Sequence, residues 1–425
     1  MASIDISRRK LLGGAAAGAA ATLVHAPTVA QAAPHVVIVG GGFAGATLAR
    51  TLRKADPRVS ITLVEASRTF TACPFSNGVI AGLRDLGAQQ FGYDKIARDG
   101  ITVALTTATA VDVGTRTVKL GSGTALAYDR LVLAPGIDIR WNALPGYDEA
   151  AARQMPHAWK AGEQTALLRR QLEAMEDGGV VILSAPTNPF RCPPGPYERA
   201  SLIAYYLKTK KPRSKVIVLD AKDQFSKQKL FVSAWKELYP EHLEWVSLSQ
   251  GGSVTSVDVA AKTLITDFGK HKGDVVNVIP PQKAGHVAEL AGVADRSGWC
   301  PIDPLTFESK LQPNIHVLGD AAIAGGMPKS AFAANAQGKV CAFALARLLN
   351  GSAPSEPKLI NTCYSLVAPD YGISIAGVYR PANGTFTDVE GSGGVSPLNA
   401  PRETRALEAT LANDWFGTIT TEVFG

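Results

Sequence analysis

Residues 35–65 constrain the fold of this chain more than any other stretch. His35-Val36-Val37-Ile38-Val39 is a short apolar run rich in β-branched residues, suited to a parallel strand buried on both faces. Gly40-Gly41-Gly42-Phe43-Ala44-Gly45 follows at once, Ala46–Lys54 has helical composition, and Val59–Val64 reads as a second strand ending at Glu65. Glycines in this spacing are a weak signal alone. Here they lie between a strand and a helix, with an acid 20 residues beyond the last glycine, and together these predict a βαβ dinucleotide-binding unit. Gly40 permits the tight turn, Gly42 lets backbone approach a pyrophosphate, and Gly45 brings helix and strand close, while the helix N-terminus faces the phosphate charge. Glu65 is placed to accept hydrogen bonds from a ribose. Its charge disfavours a 2′-phosphate, so the expected dinucleotide is FAD or NAD rather than NADP.

The chain around this unit has 425 residues, enough for two or three domains. With 46% hydrophobic residues and only five cysteines it excludes a disordered chain, a collagen or a small disulfide scaffold. The net charge of +6 is spread over 43 basic and 37 acidic residues with no long basic run, so no nucleic-acid partner is expected. Residues 1–32 read as a cleavable export signal. Ser7-Arg8-Arg9-Lys10 opens a Gly/Ala-rich stretch whose apolar part, Leu11–Val24, is 14 residues long, short of the roughly 20 a spanning helix needs. The pair Arg8-Arg9 resembles the bacterial twin-arginine signal, which implies the periplasm, with cofactor loaded before export.

Two later segments, Arg130–Ala134 running into Pro135-Gly136 and Asn314–Leu318 running into Gly319-Asp320, resemble the FAD-contacting segments of the two-dinucleotide-domain flavoproteins that include the disulfide reductases. The resemblance implies an α/β fold with two Rossmann-like domains, glutathione-reductase-like, and a small C-terminal interface domain. It makes Ala134, Gly136 and Asp320 part of the FAD site, Asp320 meeting the ribityl and pyrophosphate portion. The local alternative for Asp320 is a helix N-cap ahead of Ala321-Ala322. The FAD domain is then discontinuous, residues 33–140 and 280–350, with residues 141–279 inserted as the second domain and residues 351–425 as the C-terminal one. In the inserted domain Val180–Leu183 is a strand, and Val216–Asp220 another. The loop after the first, Ser184–Gly195, carries four prolines and one glycine. Such a loop can neither form a glycine nest nor offer all its N–H groups to phosphate, so nicotinamide binding is expected to be lost.

Cys73, Cys192, Cys300, Cys341 and Cys363 include no C-x-x-C, hence no haem attachment site. In an exported chain an odd count leaves one cysteine otherwise used, and four cysteines allow three pairings. The runs Thr71-Ala72-Cys73-Pro74-Phe75-Ser76-Asn77, Cys192-Pro193-Pro194-Gly195-Pro196-Tyr197-Glu198-Arg199-Ala200 and Asn361-Thr362-Cys363-Tyr364-Ser365 resemble the flavoprotein subunit of flavocytochrome c sulfide dehydrogenase over essentially the whole mature chain. That resemblance implies a Cys73 thioether to the flavin and a redox-active Cys192–Cys363 disulfide. It also implies sulfide as substrate and a heterodimer with a c-type cytochrome whose chain carries the haem c. The chemistry agrees: sulfide is a thiolate-like nucleophile able to open a disulfide, the two electrons can pass into FAD, and a haem can take them singly.

Glu198 is a candidate for proton handling near the pair; its alternative is an ordinary acid of a helix N-terminus beside Arg199. Cys300 and Cys341 are expected to be buried small hydrophobes. Trp415 is weighed as part of a flavin-to-haem route against ordinary packing. Two other functions are kept. A sulfide:quinone oxidoreductase needs an apolar surface reaching the bilayer, but Ala406–Gly425 has three acids and no lysine or arginine, a poor membrane-surface helix, so no stable membrane insertion is expected. A non-catalytic exported flavoprotein scaffold for a cytochrome would need the disulfide only structurally.

Overall fold

The computed structural model describes residues 33–425, so the export signal read from Arg8 and Arg9 lies outside the described residues. The apolar run His35–Val39 is the centre of a five-stranded parallel sheet, in the order Ile315–Val317, Arg130–Leu133, His35–Val39, Ser60–Glu65, Thr102–Leu105. Val36, Val37 and Ile38 are fully buried, as a strand covered on both faces requires. The register pairs Val39 with Val64 and with Leu133, and Leu133 with Val317. Gly40, Glu65, Ala134 and Leu318 therefore emerge together at one edge, the carboxyl ends of the strands, where open α/β sheets bind ligands.

Helix Phe43–Ala55 packs against helix Ala331–Leu349. The approach is close because Gly338 has no side chain: a Cβ there would lie 2.6 Å from the Ala44 carbonyl oxygen. Asn335 Nδ2 also donates to Thr47 Oγ1 at 2.9 Å between the same two helices.

Between Arg130–Leu133 and Ile315–Val317 the chain builds a second parallel sheet, ordered Leu243–Val246, Lys215–Asp220, Val180–Ala185, Val275–Val278. The fold is thus α/β with two Rossmann-like sheets, as the sequence led us to expect. A third, antiparallel sheet follows, built on Leu359–Ala368 and Tyr371–Ala382 and extended by Thr385–Asp388.

The last helix, Arg402–Val423, fastens this third sheet to helix Phe43–Ala55 and to the segments that carry Phe70, Phe75 and Phe91. Its Phe416 meets Phe75 at 5.0 Å between ring centroids, and Phe424 just beyond it stacks on Phe70 at 5.0 Å and Phe91 at 5.2 Å. Each buried phenyl is worth about 1.5–3 kcal/mol. No helix among the described residues is long and apolar enough to cross a membrane.

Candidate active site

A cavity of about 380 Å³ opens at the strand edge and is bounded by the first sheet's carboxyl edge, by the loop and helix that follow strand Val180–Ala185, and by strand Leu359–Ala368 of the third sheet. Gly40, Gly42, Glu65, Cys73, Ala134, Gly136, Asp320, Cys192, Cys363 and Glu198 all line it. Gly45 does not. It lies under the loop, where a Cβ would stand 1.9 Å from the Gly40 carbonyl oxygen, so its absent side chain is what lets helix and strand touch. Gly40 has φ +104°, and a Cβ there would meet the Ala134 carbonyl oxygen at 2.3 Å. Gly45→Ala is accordingly expected to reduce bound flavin per protein severalfold, read from the ratio of flavin to protein absorbance; full flavin content would contradict this packing role.

Glu65 already accepts the Gly41 N–H at 2.7 Å and the Ser67 N–H at 3.0 Å, so its carboxylate holds the loop as well as facing the cavity. Asp320 is not a helix N-cap. It sits inside a short 3₁₀ turn, Gly319–Ala321, which Leu318 precedes and which the φ of +69° at Gly319 makes possible. Asp320 Oδ2 lies 3.8 Å from Arg191, while Oδ1 is buried with no hydrogen-bond partner, and burial raises the pKa of the group. Trp159, another wall residue, has an equally unpartnered Nε1. Buried polar atoms without partners are rare in native folds. Both residues line a glycine-bordered cavity in which Gly136 has open space beyond its Cα, so the residues fit a bound FAD.

The proline-rich loop follows strand Val180–Ala185 and leads into helix Gly195–Lys210. It delivers Cys192 to the cavity in a left-handed backbone conformation, φ +56°, unusual for a residue with a side chain. The Cys192 N–H donates to the Lys329 carbonyl at 2.8 Å, which fixes the turn. Cys363 comes from the opposite side, on strand Leu359–Ala368, with Asn361 Nδ2 3.3 Å from its sulfur. All five cysteines are free thiols here. Burial pushes the Cys192 thiol up, and Glu198 and Cys363 push it further. Cys73 is half-buried on the cavity wall and makes only a long contact, 3.9 Å, with the Trp159 carbonyl. Cys300 and Cys341 are fully buried in the core.

Glu198 does occupy the first turn of its helix, but its carboxylate is tied down by Asn77 Nδ2 at 2.7 Å and the Leu366 N–H at 2.8 Å. Desolvation raises its pKa against those bonds. Trp415 lines the cavity too, stacked over Phe332 at 6.1 Å and tilted to Tyr364 at 6.3 Å.

Two cations beside the thiols escaped the sequence reading. Arg199, 2% exposed, spends its guanidinium on Asn77, Asn277 and the carbonyls of His157 and Ala158. Lys227 is buried, and its Nζ donates to the Cys363 carbonyl at 2.9 Å and to Ser365 Oγ at 2.8 Å. No local motif marks Lys227, because it reaches the thiols only through tertiary packing. Burial pulls its pKa down to about 8, opposed by the nearby Cys363, Glu198 and Cys192. Between that value and the unfolded lysine value of about 10.4 the unfolded chain binds the extra proton, so this group makes stability rise with pH. Below pH 8 both states are charged and the burial penalty is fully present. Lys227→Met should flatten that rise in urea-denaturation midpoints measured across the window; an unchanged slope would contradict the assignment.

This fold and cavity define a flavoprotein oxidoreductase of the pyridine nucleotide-disulphide class, and residues 34–174 match the family described as pyridine nucleotide-disulphide oxidoreductase. Residues 165–280 match the central part of the sulfide dehydrogenase (flavocytochrome c) flavoprotein chain, and residues 355–424 match the flavin-binding part of flavocytochrome c sulphide dehydrogenase. The chain belongs to the flavocytochrome c sulfide dehydrogenase flavoprotein family.

Among its relatives, the sulfide dehydrogenase (flavocytochrome c) flavoprotein chain of Chlorobaculum thiosulfatiphilum is 61% identical over 45 residues, 11% of this chain and 94% of that sequence. Mouse mitochondrial sulfide:quinone oxidoreductase is 23% identical over 67% of this chain and 65% of its own length, just under two thirds. In three dimensions the sulfide:quinone oxidoreductase of Aquifex aeolicus superimposes with a TM-score of 0.67 at 18% identity over 92% of both chains. Putidaredoxin reductase in its covalent putidaredoxin complex gives 0.66 at 18% identity, over 92% of this chain and 99% of that one.

Proposed function

We propose that this chain is the flavoprotein partner of a periplasmic sulfide dehydrogenase, which oxidises sulfide to sulfur or polysulfide and passes the electrons to a c-type cytochrome in a heterodimer. The observation that carries the reading is the meeting of Cys192 and Cys363 on the wall of the same cavity as the glycine loop, at the place where a nicotinamide-binding loop would otherwise stand. FAD held there supplies two-electron acceptance and one-electron release.

The residues supply the rest. A Cys192–Cys363 disulfide is opened by sulfide: one S–S bond breaks as another forms, leaving a persulfide on one cysteine and a thiolate on the other. Lys227 donates to the Cys363 backbone, and its positive charge opposes the effect of burial on the Cys192 thiol. Asn77 and the Leu366 N–H hold the Glu198 carboxylate within the same wall, so it can take or return a proton without swinging away. Trp159 and Trp415 add apolar surface to the cavity wall. Residues 351–425 are assigned to the cytochrome side, with Trp415, Phe332 and Tyr364 as the aromatic wall between cavity and surface.

The likeness to sulfide:quinone oxidoreductases supports a second reading, delivery of the same electrons to a quinone. Purified protein mixed with sulfide separates them: reduction of the partner haem supports the first, and reduction of a soluble quinone with no haem reduction replaces it with the second. A further expectation concerns Cys73. Acid-precipitated protein should keep its yellow flavin through a Cys73 thioether, and Cys73→Ser should release it; full release from the unaltered protein would remove the covalent link.

A further inference from the structure

Cys363 lines a second cavity. It has a volume of about 540 Å³ and is bounded by Pro193 and Pro194 of the proline-rich loop, by Ser226, and by the hairpin strands that carry Tyr379 and Asp388. Cys192 and Cys73 line only the first cavity, so Cys363 alone among the cysteines stands in both. Two carboxylates, Asp388 and Glu390, line the second cavity, and no lysine, arginine or histidine does. Neither acid has an ion-pair partner among the described residues.

The wall also holds a donor without a partner. Tyr379 is 6% exposed, and among the described residues its hydroxyl makes no hydrogen bond; it projects over Gly377, where a Cβ would lie 2.7 Å from it. Desolvation, with Asp388 and then Cys363, raises its pKa to about 12, so it stays a neutral donor.

We propose that this second cavity is the port by which small sulfur compounds reach Cys363, and that Asp388 and Glu390 select uncharged species over anions. The proposal rests on the sulfide-oxidising reading and adds to it the substrate class. A concave site lined by one sign of charge and walled by apolar residues focuses its field on whatever enters. Neutral hydrogen sulfide can pass, with the Tyr379 hydroxyl available to bind it, and gives up its proton to Glu198 on the wall of the first cavity before attacking as hydrosulfide, whereas sulfite, thiosulfate and anionic thiols meet two carboxylates. The titratable groups that interact with Cys363 are Lys227, Cys192 and Tyr379, with Glu198 beyond them beside Lys227 and Cys192. They adjoin the sulfur from the protein side, whereas Asp388 and Glu390 stand in the cavity a reagent must cross.

The test uses reduced holoprotein and two alkylating reagents of similar size, neutral iodoacetamide and anionic iodoacetate, with the Cys363 peptide quantified by mass spectrometry. Both need the same thiolate, so its pKa cancels in the ratio of their rates. That ratio should exceed the ratio for a simple cysteine peptide by about tenfold or more, should fall toward it in D388N/E390Q, and should fall likewise in molar salt, where screening lengths shrink to about 3 Å. Ala376→Trp, on the exposed cavity wall, should slow labelling of Cys363 by both reagents at least severalfold. A wild-type ratio equal to that of the peptide overturns the selectivity, and unaltered labelling in Ala376→Trp overturns the port. Labelling needs neither turnover nor an electron acceptor, so a failure of sulfide oxidation itself would show separately, as absent flavin reduction in a protein that still discriminates between the reagents.

Discussion

Cys192→Ser and Cys363→Ser should each slow sulfide-dependent flavin reduction by on the order of 10³-fold or more, while the purified protein keeps its flavin absorption. The two effects should not add, because removal of either sulfur abolishes the same S–S bond. Flavin retention follows from the geometry: Gly40 and Gly45 shape the loop through contacts with Ala134 and with each other, and neither cysteine takes part. Rapid mixing with sulfide under anaerobic conditions reads the rate. Near-normal reduction in either variant would remove the disulfide from the account.

The second large effect is on stability. Arg199→Met should cost about 3 kcal/mol or more, from the buried neutral acceptors it leaves unpaired, measured as a lowered urea midpoint with the slope unchanged. The guanidinium joins Asn77 beside the first cysteine segment to Asn277 of the second parallel sheet and to the chain at His157 and Ala158. The His157 carbonyl would keep a partner, since Asn277 Nδ2 also donates to it at 3.0 Å. The Ala158 carbonyl and the amide oxygens of Asn77 and Asn277 would lose theirs, and each unpaired buried acceptor costs about 1–3 kcal/mol. The Asn77 amide that steadies Glu198 would also lose its anchor, so flavin reduction should slow beyond what the loss of folded protein explains. A midpoint within experimental error of wild type would show that these acceptors find other partners.

The parts of the fold that could be read from sequence are those whose chemistry is local. The βαβ unit declares itself because strand, glycine loop, helix and acid are consecutive, and the βαβ register that brings Gly40 and Glu65 to one edge follows from strand pairing alone. The four prolines of the Ser184–Gly195 loop are local in the same way, and the expectation that nicotinamide binding is lost rests on them alone. Asp320 was placed in the site by resemblance, but its local alternative as an N-cap failed because the positive φ at Gly319 turns the chain into a 3₁₀ turn before a helix can start. Arg199 was visible only as a neighbour of Glu198. Its true partners, Asn77 and Asn277, are separated from it by 122 and 78 residues. Lys227 lies 136 residues from the carbonyl it binds, and nothing in the intervening chain predicts the contact. The long antiparallel hairpin that forms the second cavity was read only as a small C-terminal domain, so the double exposure of Cys363 had no signature in the sequence.

The measurement closest to the central claim is an anaerobic comparison of two reductants on the same holoprotein. We expect sulfide to bleach the visible flavin band at one equivalent or little more, and NADH to leave it unchanged at large excess. Under the proposed function Cys192 and Cys363, both on the cavity wall, form the disulfide that sulfide opens, and the proline-rich Pro186–Pro194 loop is expected to offer a nicotinamide cofactor no phosphate site. Bleaching by NADH with sulfide inert would contradict the account, since it would mean that the second sheet still binds nicotinamide and that the two thiols on the cavity wall carry no electrons.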